Sequence, residues 1–303
     1  MTLPTTTARQ QRQPAAIRAP RVCYIGDREA LDFQPARRRL AVESARGLCS
    51  LHDFGDAAAA IEDWEQRPSQ RLVPADVMIL AQLRPGELND AEVNELRRRA
   101  PLAAMVALCG AWCEGEARSG RPLPGISHVA WHQFPSRWVR HREAWQQGRP
   151  TEWTLPATWR EEERLLHSHP LDESKVRHEA AATIVLPNTG IREDEWLLAL
   201  ARAQRWRVVS SSQELGAAEP PTIGIWSTDQ LDASRLTELT SFVNQLHRTP
   251  VIVLAGFPRP EDDLRVRDAG AAELLAKPLL VDDLVAEISW NLESRLQGVE
   301  KGV

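Results

Sequence analysis

Four side chains of metal-binding type stand at a suggestive spacing in the first half of the chain. Cys109, Cys113, His128 and His132 read C-x3-C-x14-H-x3-H, close to a zinc-site pattern. The surrounding pattern argues against a shared metal. Cys109 ends an apolar run that reads as a strand, and His128 and His132 fall on another. Strand residues four apart share a face but stand about 13 Å from each other, too far to hold one ion. Taken alone, Cys109 and Cys113 lack a helix N-terminus or basic neighbours to lower a thiol pKa. They are expected, like Cys23 and Cys49, to be reduced thiols. A second set of polar residues closes short apolar runs: Asp27, Cys109, His132, Ser227 and Lys277. These would meet at the carboxyl end of a sheet, yet they form no recognisable catalytic set. No phosphate-cradling G-x-x-x-x-G-K-[ST], dinucleotide G-x-G-x-x-G, G-x-S-x-G elbow or H-E-x-x-H is present. His167, His169 and His178 lie in a polar stretch and receive no role.

The elements that must position these residues are clearest in the second half. Residues 183–186, 206–209, 223–226, 251–254 and 273–276 are short runs rich in apolar and β-branched residues. Helical spacing fills the gaps over 192–205, 233–247 and 260–269, and a last helix starts near Asp282 as its cap. Strands alternating with helices predict a parallel sheet covered on both faces, and the flavodoxin-like doubly wound order is the natural one at this size. The first half offers strands at 21–25, 47–51, 77–80, 105–108 and 129–131, a charged helix over 90–99, and a closing helix carrying Trp138 and Trp145.

The halves also match each other. Leu108-Cys109-Gly110 corresponds to Leu254-Ala255-Gly256, and the stretch Gly125 to His132 corresponds to Gly270 to Lys277. A duplicated domain follows, giving an α/β protein of two flavodoxin-like domains in tandem. The expected layout is a disordered tail over 1–20, a domain over 21–147, a linker over 148–180 with one short helix, and a domain over 181–298.

Residues 250–292 resemble the end of a response-regulator receiver domain. The resemblance rests on Pro250-Val251-Ile252-Val253-Leu254-Ala255-Gly256, Asp268-Ala269-Gly270-Ala271 and Lys277-Pro278. It extends over 181–297 and more weakly over 20–147. It implies a pocket that transfers a phosphoryl group to an aspartate, with Mg²⁺ held by two acids after the first strand. A hydroxyl after the fourth strand and a lysine after the fifth complete that pocket. By the same resemblance the acid-pair positions fall on Gly26 and Asp27 in the first copy and on Pro187 and Asn188 in the second. The acceptor falls on Ala81 and Ser227, the hydroxyl on Cys109 and Ala255, and the lysine on His132 and Lys277. Asp229, two residues past Ser227, could substitute after a slip of alignment, but the metal-binding acids would still be missing. The resemblance therefore implies degenerate receivers with no catalysis, no cofactor and no bound metal. Receivers commonly use the face of the fourth helix, fifth strand and fifth helix for partners, so that face is expected to serve protein contact. A histidine kinase or another signalling protein, or a second copy of the chain, is the implied partner. The alternative is a small-ligand binder or enzyme on a flavodoxin-like sheet.

Bulk properties fit this reading. The 303 residues carry a formal net charge of -5, which points to neither nucleic acid nor an anionic membrane. No stretch is apolar enough to span a bilayer, no signal peptide is visible and no helix-turn-helix follows the second copy, so a cytoplasmic protein is expected. Eleven tryptophans stand against one tyrosine, and five of them fall between Trp131 and Trp159. That segment must pack on something: the body of the protein as a docked linker, or a partner.

Overall fold

Apolar runs too short for helices and too continuous for a half-exposed sheet become the buried centre of two parallel sheets. The computed structural model describes residues 18–66, 75–116, 120–155, 158–168, 182–187, 195–212, 222–247 and 249–300. The first sheet is built from β1 (Arg21–Ile25), β2 (Ser50–Phe54), β3 (Val77–Gln82), β4 (Ala104–Cys109) and β5 (Ser127–Ala130), in the order β2-β1-β3-β4-β5. The second contains β6 (Thr183–Leu186), β7 (Arg207–Ser210), β8 (Thr222–Thr228), β9 (Val251–Gly256) and β10 (Glu273–Lys277), in the order β10-β9-β8-β6-β7. Read from the opposite edge, the second order repeats the first. All pairings are parallel, and both sheets have the flavodoxin-like doubly wound order.

Each sheet divides its strand residues between two cores. Val77, Ile79 and Ala81 face one side of the first sheet, while Met78 and Leu80 face the other. In β9, Ile252 and Leu254 face one side, while Val251, Val253 and Ala255 face the other. Helices cover those faces: α1 (Gln34–Ala45), α2 (Ala57–Gln66), α3 (Asp90–Arg99) and α4 (Phe134–Gln146) around the first sheet. A short α5 (Glu161–Ser168) follows, and α6 (Glu195–Ala203), α7 (Ala233–Gln245), α8 (Pro260–Asp268) and α9 (Val281–Glu300) surround the second. Local chemistry sets several ends. Asn89 and Glu92 form a capping box on α3, and Asp232 accepts the Arg235 N–H at the start of α7.

Three boundaries differ from expectation. The second strand begins at Ser50, not Gly47, because Gly47 at φ +71° turns the chain out of α1. Asp282 lies inside the first turn of α9, which starts at Val281. In the tail, residues 1–17 lie outside the described residues, but Arg18 is anchored: its guanidinium makes two bonds to Asp76 at 2.6 and 2.7 Å.

The tryptophan-rich segment packs on the protein itself. Trp153 sits in the core of the first sheet with Trp131, Phe134 and Trp138. Its ring stacks on His141 at 4.4 Å and on Phe134 at 5.9 Å. Trp159 remains partly exposed beside His167. His141 is fully enclosed, and burial holds its imidazole neutral, down to about 3.

The two sheets meet through charge. Arg39 of α1 is buried, with Nη2 2.6 Å from Glu287 of α9 and 3.0 Å from Glu273 of β10. Arg38 pairs with Asp263 of α8, and Arg140 of α4 reaches Asp283 of α9 at 2.8 Å. At the centre, Trp290 of α9 packs with Ala286, Val139 and Leu48. The Arg39, Arg46 and Arg142 guanidiniums lie 4.6, 4.9 and 5.7 Å from the Trp290 ring. Glu43 closes the network: its carboxylate forms an ion pair with Arg142 at 3.0 Å and accepts the Trp138 indole N–H at 2.8 Å. The second unit thus gives α8, β10 and α9 to the first. The expectation that this face is free for partners is overturned there, because it is already buried by an intramolecular ion network.

Two outcomes follow. Arg39→Ala strands the buried Glu287 without its cation, while Glu273 keeps Arg267, and should cost about 3–5 kcal/mol in urea unfolding, whereas a surface change such as Arg235→Ala should cost under about 1 kcal/mol. For His141, the folded protein binds its proton only near pH 3 while the unfolded chain binds it near 6.5, so its share of stability is complete above about pH 6.5 and lost as pH falls toward 3. His141→Gln should flatten that part of the stability–pH profile measured by denaturant titration.

Candidate functional site

The positions singled out by the receiver resemblance lie where the strands end. In the first unit, Gly26 leaves β1 at φ +142°, and a Cβ built on it would stand 2.6 Å from the Ala81 Cβ and 2.8 Å from the Ala81 carbonyl oxygen. The backbone of the first loop therefore rests directly on the acceptor position, which a glycine alone permits. Asp27 is exposed and works within its own turn. Its Oδ1 accepts the Glu29 N–H at 2.8 Å, and its carbonyl accepts the Tyr24 hydroxyl at 3.0 Å. A different acid fills the end of this sheet. Asp32, 8% exposed, accepts the Ala111 N–H through Oδ2 at 2.6 Å, and a Cβ on Gly110 would meet that oxygen at 2.8 Å. Asp32 was not legible as a site residue, since nothing in its spacing shows that a short helical turn, Leu31–Phe33, carries it across the sheet.

Cys109, at the hydroxyl position, is buried at the end of β4. Cys113 follows in the turn Ala111–Cys113, its sulfur donating to the Gln82 carbonyl at 3.3 Å. The hydrogen bond with Cys113, followed by burial, pushes the Cys109 thiol up, which disfavours a thiolate nucleophile. All four cysteines are free and buried.

Register corrects one assignment. Ala276 pairs with Ala255 and Lys277 with the next residue, Gly256. In the first unit Ala130 pairs with Cys109, so Trp131, not His132, occupies the place of Lys277. Trp131 lies in the core. His132 falls beyond β5, which ends at Ala130, and burial followed by the Arg137 charge presses its imidazole down to about 4. His132 therefore shares no strand with His128. Among the described residues no three His, Cys, Asp or Glu side chains gather as a metal would require.

In the second unit the register brings Ser227, Ala255 and Lys277 to one sheet end. Lys277 closes β10 before a cis bond to Pro278. Its Nζ lies 2.6 Å from Asp229 Oδ1 and 3.4 Å from Ser227 Oγ. Asp229 is almost wholly exposed, and the Lys277 hydrogen bond holds its carboxyl below the usual range. Ala255 is buried and offers no hydroxyl. Pro187 directly follows β6 and is partly buried, while Asn188 lies outside the described residues. The acids present do not fit Mg²⁺: Asp229 serves Lys277, and Asp27 and Asp32 are spent on backbone N–H groups. Beside the second pocket, Phe257 holds a positive φ of 43° with its ring 86% exposed, and Trp112 borders the first pocket 71% exposed.

No protein-family model matches the chain, and no curated protein does. Among solved structures, the chain is similar to a two-component system response regulator/GGDEF domain protein, with 14% identity over 91% of this chain and 98% of that one and a TM-score of 0.30. It is also similar to the Escherichia coli RcsC C-terminus, containing a linker region and a phosphoreceiver domain, at 14% identity over 92% and 94% of the two chains with a TM-score of 0.29. A Caulobacter myo-inositol binding protein matches at 14% identity over 87% and 75% with a TM-score of 0.26. Overlaps this loose carry no argument, and the fold rests on the strand orders themselves.

Because Lys277 is what lowers Asp229, Lys277→Met should move the Asp229 titration midpoint, followed by carboxyl NMR, upward toward that of a free aspartate. Gly26→Ala should instead destabilise the first unit, since the added methyl has no space beside Ala81.

Proposed function

We propose that this chain is a receiver-like signalling protein of the two-component type that acts by protein–protein contact, without aspartyl phosphorylation. The observation that carries this reading is the contact of Gly26 with Ala81, where the first loop covers the site an acceptor carboxylate and its cation would need. The second pocket supports it: its lysine is engaged by Asp229 and its hydroxyl position is an alanine. In this reading 21–147 and 181–298 are two degenerate receivers joined by 148–180, and the chain works in the cytoplasm beside a histidine kinase or another signalling protein. The ion network between the units favours one fixed arrangement over a phosphorylation-driven switch. Exposed Phe257, held at a positive φ that costs energy, supports recognition at the pocket rims.

The full chain is incubated with acetyl phosphate and Mg²⁺ and its intact mass followed. The mass should stay unchanged, also after Ala81→Asp or Ser227→Asp restores a carboxylate. Phosphoryl gain on an aspartate of the unaltered chain would overturn the proposal.

A further inference from the structure

At the opposite end of the first sheet, away from Gly26 and Ala81, lies a half-open cavity of about 170 Å³. It sits where β4 and β5 begin, between the end of α3 and the docked segment after α4. Two guanidiniums line it, Arg97 from α3 and Arg164 from α5, together with Ser127, Met105, Trp153 and Leu155. Neither arginine pairs with a carboxylate among the described residues. Arg97 donates to the Asn94 side-chain oxygen at 3.1 Å and to the Pro124 carbonyl at 3.2 Å. Arg164 donates to the Ser127 hydroxyl through Nη1, while its buried Nε has no acceptor among the described residues. Glu152, in the small adjoining pocket that Arg164 also lines, stands 3.9 Å from Arg137.

Two cations in a partly enclosed cavity, with no carboxylate partner among the described residues, are stabilised when an anion joins them. Guanidinium donors match the oxygens of a carboxylate or phosphate, and the partly enclosed setting strengthens such bonds relative to water. At roughly 30 Å³ per water, the volume holds about five or six waters, enough for a small organic anion and too little for a nucleotide. We propose that this cavity binds a small organic oxyanion, its carboxylate or phosphate between Arg97 and Arg164 and its apolar body against Met105, Trp153 and Leu155. Because Trp153, Leu155 and Arg164 belong to the segment between the two sheets, an occupied cavity would also fasten that segment to the first unit. The inference is independent of the signalling reading, whose pockets lie at the other end of the strands.

The test titrates the full chain with butyrate, benzoate, methyl phosphate and inorganic phosphate at constant ionic strength, using calorimetry and thermal denaturation. At least one organic anion should bind one site saturably, more tightly than inorganic phosphate, and raise Tm with concentration. Arg164→Gln and Arg97→Gln should each weaken that binding about tenfold or more. If Arg164→Gln does not fold, the half-buried Arg97 carries the same comparison. Absence of saturable binding, binding of inorganic phosphate alone, or affinities within about twofold of the unaltered chain in the folded variants would overturn the proposal.

Discussion

A guanidinium buried between two carboxylates and an indole joins the two halves of this protein. Arg39 has 3% of its side chain exposed and Glu287 none, so neither charge can be left without the other. The network is also one-sided. The first unit presents Arg38, Arg39 and Arg140, and the second answers with Asp263, Glu273, Asp283 and Glu287. Trp290 supplies what hydrogen bonds do not, since Arg39 Nη1 has no acceptor and the indole lies against the guanidinium. An interface this dependent on matched charge tolerates little sliding, because each step would unpair a buried ion.

That constraint bears on function. The face of the second unit that free receivers would offer to partners is consumed within the chain. On the first unit, Trp153 and Arg164 of the connecting segment lie against the core and the start of β5. At the strand ends the groups are held by packing and local hydrogen bonds: glycine against alanine at Gly26, an aspartate on a backbone N–H at Asp32, a surface ion pair at Lys277.

The connecting segment earns its order from aromatic stacking. Trp138, His141 and Trp153 enclose one another, and an imidazole held neutral serves there as a flat apolar plate. The same docking creates the arginine-lined cavity beneath the first sheet, so a feature that reads as a linker also builds a wall.

How much was legible depended on how local the cause was. Apolar runs such as Val77–Gln82 and Val251–Gly256, alternating with helical spacing, determined the parallel sheets, their duplication and most strand positions, because burial on both faces demands continuous hydrophobicity. That Ala81 and Ser227 are not carboxylates, and that Cys109 and Ala255 bear no hydroxyl, was equally visible, being a matter of residue type. Helix α1 was not visible, since its buried face includes Arg39 and Glu43, which look like a solvated surface until the second unit covers them. Nor could spacing show that Trp131 displaces His132 by one residue of register, that Asp32 reaches Ala111, or that Arg97 and Arg164 share a cavity. By itself the chain's pattern of apolar residues determined what each half folds into. Only the tertiary structure decided which charges are buried against which, because ion pairs between segments 143 or more residues apart leave no periodic trace in either segment.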